Sequence, residues 1–421
     1  MSRTLTQWLA HLEKLHPVAI DLGLDRIRVV AKRLALLSAP IARQVVTVAG
    51  TNGKGSTVAM LEAVARAHGL STACYTSPHL LRYNERLLFD GDEVSDDALI
   101  DAFERIEAVR GDTGLTYFEM GTLAALVIIR DRAPDMAILE VGLGGLLDAT
   151  NIIDADVGIV TSVALDHADF LGTDIERIGI EKAGILRAGR PAVLGSRQMV
   201  KTVAAHAEAL PVSHCLILGQ DFDWQRVESG RWQWQRPSET SDTTCRSLPD
   251  PGLPLDNAAS ALTALDALGL SLETERLEQA FSDIRLSGRM QRIGRYCLDV
   301  AHNPHAADYV ASQLAQRPAT RRVALLGMLG DKDAEGVIEA LWPVVDDWLA
   351  VTLSGARARN GEALAEIIRA RGGHVLAVVE GPGAGIDWLE QHSQHDDVLV
   401  CGSFFTVAEA LARLERGEGT A

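Results

Sequence analysis

A glycine-rich stretch near the N-terminus has the residue types and spacing of a phosphate-binding loop. Residues 50–56 read GTNGKGS and lie between a β-branched run, residues 45–48, and an amphipathic helical pattern. Glycines let successive backbone N–H groups point at an anion, a helix N-terminus adds partial positive charge, and Lys54 can reach the outer phosphates of a nucleotide. The stretch therefore predicts a nucleotide-binding loop, although Val48 and Gly55 depart from the standard P-loop pattern. The alternative is a glycine-rich turn with a surface lysine.

Three further residues could take part in metal or phosphate chemistry. Glu140 ends the apolar run MAILE, and a carboxylate there needs a partner such as a metal ion on nucleotide phosphates; otherwise it caps a neighbouring loop or helix. His167 has Asp166 before it and Asp169 after it, and is either a ligand or a structural hydrogen-bonding group. Lys182 follows a glutamate on a helical pattern, which is more typical of a solvent-exposed ion pair than of a catalytic group.

A second group of polar residues lies toward the C-terminus, mostly just after apolar runs. Asp299, His302 and Asn303 share one predicted turn in DVAHNP, and such a cluster favours a site over a simple capped turn. Lys332 lies between two aspartates after the next run, and Ser403 follows DVLVCG. Arg289 is at the predicted hinge between domains, where it could reach a phosphate. Each of these three residues taken alone is also compatible with an ordinary surface loop.

The elements that must position these residues follow an α/β pattern. Apolar runs alternate with helical segments, which predicts a parallel sheet with helices on both faces and a ligand site at the carboxyl ends of its strands. Residues 215–255 contain tryptophans and prolines among polar residues and predict antiparallel hairpins. The α/β pattern then restarts as a smaller, doubly wound unit. We therefore expect two domains, residues 1–286 and 287–421.

Composition limits the class of protein. The 421 residues are 47% hydrophobic, enough to form two domains with ample core. A net charge of −17 argues against non-specific binding to nucleic acid or to anionic membranes, so local basic groups must hold any anionic substrate. The five cysteines are scattered and form no CxxC pair, and no apolar stretch approaches the roughly 18 residues of a membrane span. We therefore expect a cytoplasmic protein without disulfides. An acidic chain without heptad repeats predicts a monomer.

Ten motifs, taken together and in order, resemble the folylpolyglutamate synthase/dihydrofolate synthase family, a branch of the Mur-ligase-like ATP-dependent amide ligases. The phosphate loop by itself is similar only to the wider superfamily, whereas SPHL, FEMGT and GLGG followed by DATN are similar to the folate branch. The matching stretches are LHPVAIDLGLDRI, GTNGKGST, TSPHLLRYNERL, FEMGTLAAL, LEVGLGGLLDATN, ALDHADFLG, EKAGI, DVAHNP, DKD and GSFFTVAEAL.

The resemblance implies a fold and a reaction. The fold would be an N-terminal P-loop ATPase-like, mostly parallel sheet flanked by helices, followed by a Rossmann-like C-terminal domain that ligates glutamate. The substrates would be ATP, L-glutamate, and dihydropteroate or reduced folates, and the product amide would form through an acyl phosphate. The bifunctional bacterial enzyme is the first hypothesis. A folylpolyglutamate synthase alone, a non-folate Mur-type ligase and a nucleotide-dependent regulatory module remain alternatives.

The resemblance also assigns roles to the residues that match its motifs. Ser77 and Glu140 would bind one Mg²⁺ ion; Glu140, His167 and Lys182 would bind a second, with Lys182 converted by CO₂ into an N6-carboxylated, carboxylate-like ligand. The residues expected to act in catalysis are Lys54, Glu140, His167, Lys182 and His302. The loop residues expected to bind ATP phosphates are Gly50, Thr51, Asn52, Gly53, Lys54, Gly55 and Ser56.

Further matches imply contacts with the rest of the substrates. His302 and Ser403 match positions beside the incoming glutamate. Leu146 stands where the family commonly has arginine, which removes a cation near the expected folate pocket. The residues expected to reach adenosine and phosphates from the second domain are Asn257, Arg289, Asp299, His302 and Lys332. The residues expected around the folate are Arg82, Thr116, Phe118, Asp148 and Ala149.

Overall fold

A computed structural model describes residues 3–418 apart from residues 17, 19, 229, 238–242, 318, 356 and 394–395. The chain divides into two units, Met1–Ile284 and Arg285–Ala421. No helix among the described residues is long and apolar enough to cross a membrane.

The first unit contains two sheets and the helices that cover them. Its helices are α1 (Leu5–Leu12), α2 (Asp25–Arg33), α3 (Lys54–Ala67), α4 (Asp96–Arg110), α5 (Tyr117–Arg132), α6 (Ala168–Leu171), α7 (Ile175–Ala183), α8 (Lys201–Ala209), α9 (Leu255–Ala267) and α10 (Thr274–Asp283). Its strands are β1 (Gln44–Ala49), β2 (Thr72–Tyr75), β3 (Leu87–Phe89), β4 (Asp92–Glu93), β5 (Met136–Glu140), β6 (Val157–Val160), β7 (Ala192–Leu194), β8 (Cys215–Ile217), β9 (Asp223–Glu228), β10 (Arg231–Arg236) and β11 (Thr243–Pro249).

The larger sheet confirms the predicted α/β fold. Within the described residues its strand order is β4-β3-β2-β5-β1-β6-β7-β8, and all pairs from β2 to β8 are parallel. The central strands are buried along their length because helices cover both faces, which explains their continuous apolar runs. Val48 pairs with Glu140 and Ala49 pairs with Val160 in this register. The loops after β1, β5 and β6 therefore meet at one edge of the sheet.

The tryptophan-rich segment forms the predicted antiparallel hairpins, but these begin later than predicted. Strands β9, β10 and β11 form their own antiparallel sheet, in which Trp232 and Trp234 are buried. Trp232 packs edge-on against Phe281 of α10, with ring centroids 5.4 Å apart. The prediction was wrong for Cys215–Ile217, which extend the parallel sheet beside β7. Three residues carry too short a pattern to distinguish the two pairings.

The second unit has the predicted doubly wound arrangement. Its sheet has the order β12-β13-β17-β14-β15-β16 within the described residues, parallel throughout except for β12. Its strands are β12 (Gln291–Ile293), β13 (Tyr296–Leu298), β14 (Arg322–Leu326), β15 (Asp347–Thr352), β16 (His374–Glu380) and β17 (Asp397–Cys401). Its helices are α11 (Pro304–Ala315), α12 (Ala334–Leu341), α13 (Gly361–Ala370), α14 (Pro382–His392) and α15 (Phe404–Glu418).

Candidate active site

The glycine loop between β1 and α3 is shaped by a distant asparagine. Gly53, the residue before α3, has φ +89°, and a Cβ there would lie 2.7 Å from the side-chain amide of Asn257. Asn257 Nδ2 also donates a hydrogen bond of 2.8 Å to Ser56 Oγ. Asn257 lies on α9 of the first unit, so its grouping with second-domain residues was wrong. A side chain at Gly53 would disturb both the backbone angle and this contact.

The rest of the loop is held by the segment that follows β6. Thr161 Oγ1 and Ser162 Oγ donate to the carbonyl of Asn52 at 2.7 and 3.0 Å, and Thr51 N donates to Ser162 O at 2.8 Å. Lys54 Nζ lies over the loop and donates to Gly50 O at 3.0 Å and to Thr51 O at 3.3 Å. The carbonyl groups of Gly50, Thr51 and Asn52 thus accept hydrogen bonds from the protein itself. Thr161 and Ser162 were not predicted, because only the fold brings them here.

Glu140 and Ser77 come together beside the first turn of α3. Glu140 is buried, and its Oε2 accepts a hydrogen bond of 3.2 Å from the backbone N–H of Ser77. A Cβ at Gly55 would lie 3.9 Å from the same oxygen. The carboxylate therefore faces the N-terminal end of the helix that begins in the glycine loop. A buried carboxylate at this place suits a hard divalent cation, because Mg²⁺ prefers carboxylate, hydroxyl and phosphate oxygens.

Lys182 is buried, so the solvent-exposed alternative considered for it was wrong. Only 4% of the residue is accessible, although it follows Glu181 on the last turn of α7. Burial lowers the pKa of its amine from the ordinary 10.5 to about 7, and the charge of Lys54 adds to this shift. Asp166 and Glu181 act in the opposite direction on that pKa. Lys182 therefore has a large neutral fraction near pH 7 and lies within electrostatic range of the glycine-loop lysine.

A buried asparagine ties the end of α7 to the glycine turn that follows β5. Asn151 Nδ2 donates to Leu146 O at 3.0 Å and to Gly184 O at 3.1 Å, and its Oδ1 accepts from Arg187 at 2.8 Å. A Cβ at Gly145 would lie 2.6 Å from the carbonyl oxygen of Glu181 in the last turn of α7. This network holds the turn after Glu140 against the helix end that carries Lys182, and sequence reasoning did not assign it a role.

His167 lies at the N-terminus of α6, with Asp166 beside it. Its backbone is left-handed, with φ +51°, and Nε2 is 3.9 Å from Asp166 Oδ2. The Asp166 side chain is largely buried and influences the pKa of Lys182, which makes it a further candidate for this site. Across the described ranges, no group of three or more His, Cys, Asp and Glu side chains is gathered closely enough to hold a metal ion. A cation here needs additional oxygen ligands.

Of the residues expected around the folate, Phe118 packs on its neighbours through its ring, whereas Thr116 and Asp148 hold the backbone through hydrogen bonds. Phe118 covers Gly142, where a Cβ would lie 2.6 Å from the ring, and stacks on Tyr75 with centroids 6.2 Å apart. Thr116 is buried and caps α5. Asp148 is also buried, and both of its oxygens accept hydrogen bonds from Gly142, Leu143 and Thr150. Ala149 lies buried beside it. Asp148 thus holds the glycine turn in shape.

Arg82 and Arg86 have different surroundings. Arg82 is exposed and lies 3.4 Å from Glu93 and 3.8 Å from Asp96. Arg86 Nε donates to His79 Nδ1 at 2.8 Å, and its guanidinium lies 5.2 Å and 5.6 Å from the ring centroids of Tyr83 and Tyr117. Burial, followed by the Arg86 charge, lowers the pKa of His79 to about 4. Arg86 was not singled out from the sequence, because only the fold brings Tyr117 of α5 to it.

In the second unit, Asp299, Arg289 and His302 lie near one another. Asp299 is buried and accepts from the backbone N–H groups of Met290 and Ala301 at 2.9 and 2.8 Å. Burial raises its pKa, and the Arg289 charge opposes that shift. Both Arg289 and His302 lie against Phe404, the guanidinium at 5.1 Å and the imidazole at 6.3 Å from its ring centroid.

Ser403 and Lys332 lie at the carboxyl ends of the neighbouring strands. Ser403 is buried, and its hydroxyl accepts from Thr406 N at 3.0 Å and lies 2.7 Å from Thr406 Oγ1. Lys332 is largely buried in the loop between β14 and α12. His302 Nδ1 lies 2.9 Å from Val300 O, which fixes the direction of the ring.

Comparisons with known proteins identify relatives of both units. The Mur ligase middle domain matches residues 48–214, and the glutamate ligase domain of Mur ligases matches residues 288–404. The dihydrofolate synthase/folylpolyglutamate synthase of Escherichia coli (strain K12) is 44% identical over 413 residues, which are 97% of this chain and 94% of that protein.

Two solved structures extend the similarity to the whole fold. The E. coli FolC complex with DHPP and ADP superimposes with a TM-score of 0.92 at 41% identity and covers 99% of both chains. A bifunctional folylpolyglutamate synthase/dihydrofolate synthase with Mn, AMPPNP and L-glutamate bound has a TM-score of 0.90 at 42% identity and covers 98% of both chains.

Proposed function

The chain belongs to the dihydrofolate synthase/folylpolyglutamate synthase family of Mur ligases, and we propose that it joins L-glutamate to dihydropteroate and to folates with consumption of ATP. One observation carries the proposal: the glycine loop, Glu140 and Ser77 meet at one edge of the sheet. The buried Lys182 lies within electrostatic range of Lys54 there. Relatives that share nearly the whole fold bind DHPP with ADP, and AMPPNP with Mn and L-glutamate.

The reaction proceeds in two steps. A carboxylate oxygen of the pterin substrate attacks the γ-phosphorus of ATP, the bond to the β,γ-bridging oxygen breaks, and ADP leaves. The amine of L-glutamate then attacks the acyl carbon, a C–N bond forms, phosphate leaves with the C–O electron pair, and one proton is released. Both steps bring anions together, so the protein must neutralise charge and hold the reactants in line.

The glycine loop is assigned to the phosphates. Its carbonyls are held by Thr161, Ser162 and Lys54, so the loop keeps a fixed shape in which N–H groups and the start of α3 can face an anion. Asn257 holds the same shape from the other side. Lys54 is assigned to the β- and γ-phosphate oxygens, which requires its amine to leave the loop carbonyls when ATP binds.

The divalent cation sites are assigned to residues around Glu140. Ser77 and Glu140 would hold one Mg²⁺, and Glu140, His167 and Lys182 a second. Bound Mg²⁺ supplies charge neutralisation between the substrate carboxylate and the phosphates. The protein's part is to present oxygen donors, which Glu140 does from a buried strand end beside the start of α3.

Lys182 can serve such a site only after modification. A neutral amine attacks CO₂, forms a C–N bond and releases a proton, which leaves a carbamate with the charge of a carboxylate. Its pKa of about 7 gives Lys182 the neutral amine that this step needs. We therefore assign an N6-carboxylated Lys182, held in place through the Asn151 network.

The second unit is assigned to the nucleotide and to glutamate. Arg289, Asp299 and Lys332 would contact the nucleotide, while His302 and Ser403 would hold the incoming amino acid. With Nδ1 donating to Val300 O, the ring presents Nε2 as the acceptor that can take a proton from the glutamate ammonium group. In the first unit, Thr116, Phe118 and Ala149 are assigned to the pterin, with Asp148 as the residue that shapes their turn.

The proposal is tested by supplying the purified protein with ATP, Mg²⁺ and L-glutamate. Dihydropteroate as acceptor should give dihydrofolate, and tetrahydrofolate should give its glutamylated product, both measured by mass spectrometry with one ADP per amide. Extension of tetrahydrofolate without formation of dihydrofolate would reduce the function to folylpolyglutamate synthesis. If ADP is released with neither dihydropteroate nor tetrahydrofolate as acceptor, the proposal is contradicted.

A further inference from the structure

Arg359 of the second unit holds the backbone of the loop that carries Lys332. The loop follows β14, and Arg359 lies in the segment after the neighbouring parallel strand β15. Arg359 Nη2 donates to Gly330 O at 2.9 Å and to Lys332 O at 2.8 Å, and Nε donates to Leu329 O at 3.4 Å. One guanidinium group therefore gathers three carbonyls of a tight loop.

The backbone of the same segment adds to this contact. Arg359 N donates to Met328 O at 3.2 Å, Gly330 N donates to Arg357 O at 2.8 Å, and Leu329 forms an antiparallel bridge with Ala358. The two segments are thus paired before any side chain is considered. The Arg359 side chain extends this pairing by two residues, as far as the carbonyl of Lys332 itself.

The far end of the loop is also anchored. Asp333 caps α12 by accepting a hydrogen bond of 2.9 Å from Gly336 N. With the helix start fixed on one side and Arg359 on the other, the peptide on either side of Lys332 has little freedom. The backbone around Lys332, which is a largely buried residue, is thus held by contacts on both sides.

A guanidinium suits this role for electrostatic reasons. Carbonyl oxygens that converge on one point repel one another, and a planar cation with several fixed donors removes that repulsion. A lysine at this position would supply the charge without the fork, and a neutral amide would supply fewer donors. Arg357, which is nearby, differs because its guanidinium is exposed and pairs with Asp331 at 2.6 Å.

We propose that Arg359 is a positioning residue for nucleotide binding, acting through the loop backbone on Lys332. The inference rests on the proposed function, in which Lys332 contacts the nucleotide. The hydrogen bonds of Arg359 go to the protein backbone, so its removal should change nucleotide binding through Lys332.

The test is a double-mutant cycle on the full-length protein, with AMPPNP affinity measured by titration calorimetry and steady-state kinetics as the second readout. Arg359→Gln should weaken AMPPNP binding and raise KM for ATP by about tenfold, the effect of losing about one net hydrogen bond. The values of kcat and KM for L-glutamate should change by less than about twofold. In a Lys332→Ala background, the same change should have less than about twofold further effect, because the group it positions is gone. Arg357→Gln is the matched control and should leave all constants within about twofold.

Three outcomes would overturn the inference. The first is an AMPPNP affinity that does not change in Arg359→Gln. The second is a fall in kcat while every KM stays unchanged. The third is a double variant in which the two losses of AMPPNP affinity multiply. Arg359→Lys, which keeps the charge, replaces the glutamine variant if that variant does not fold. A wild-type protein that binds AMPPNP but forms no amide would refute the proposed function, while the cycle in AMPPNP affinity still decides the role of Arg359.

Discussion

Replacing Lys182 with methionine should remove activity and at the same time stabilise the first unit. The amine is buried and its pKa is lowered to about 7 from 10.5, so the folded protein binds the proton less well than the unfolded chain. That difference is a cost to folding wherever the unfolded chain is protonated. Methionine has a similar length, carries no charge and fits an apolar environment.

The size of the effect follows from the pKa difference. With about 1.4 kcal/mol per pKa unit, the buried amine costs about 4 kcal/mol at pH 7, where the unfolded chain is fully protonated and the folded one about half. Because the folded pKa is the lower one, the cost is fully present below pH 7 and disappears as the pH rises toward 10.5. At pH 9 it should be about 2 kcal/mol. The stability advantage of Lys182→Met should therefore shrink by about half between pH 7 and pH 9.

Urea unfolding in CO₂-free buffer measures this difference. Wild type and Lys182→Met are compared at pH 7 and pH 9 in the transition that unfolds the first unit, and Lys201→Met serves as a solvent-exposed control. Ligase activity of Lys182→Met, measured with added bicarbonate, should fall by about 100-fold or more. A variant that is less stable than wild type at pH 7, or an advantage that does not change with pH, would refute the reasoning.

Three other predictions concern the same unit. Gly53→Ala should weaken ADP binding by about tenfold or more in a calorimetric titration, because the residue has φ +89° and a Cβ would lie 2.7 Å from the Asn257 amide; unchanged affinity would contradict it. Asn151→Asp should lower the free energy of unfolding by about 2 kcal/mol, because a carboxylate cannot donate to Leu146 O and Gly184 O; an unchanged urea midpoint would count against this network. Excess EDTA should stop ADP release in the presence of L-glutamate and acceptor, and added Mg²⁺ should restore it; turnover that persists in EDTA would exclude the assigned cation sites.

Much of the fold could be predicted because its signals are local. The β-branched run before Gly50, the glycines, and the helical pattern after them lie within one stretch of chain, and their order is enough to predict strand, loop and helix. The family was also predicted correctly from its motifs. The hairpin boundary was less accurate, since a three-residue strand such as Cys215–Ile217 can join either sheet without a visible change of pattern.

The candidate site depended more on distant contacts. Asn257 reaches Ser56 across 201 positions, and the arginine that lies among aromatic rings is Arg86, whereas Arg82 is exposed. No sequence pattern distinguishes two arginines four residues apart in one loop. Their different surroundings arise because the fold places Tyr117 of α5 beside Arg86.

The sequence by itself determined the order of elements and the positions of the chemical groups at strand ends, because periodicity and glycine spacing act over a few residues. The tertiary structure alone decided how those groups behave. Lys182 has the neighbours of an ordinary helical ion pair, yet packing removes it from water and lowers its pKa. Arg359 has no motif of its own, yet the pairing of two loops gives it the Lys332 carbonyl. Solvation and contact depend on segments far apart in the chain, so they follow from the fold.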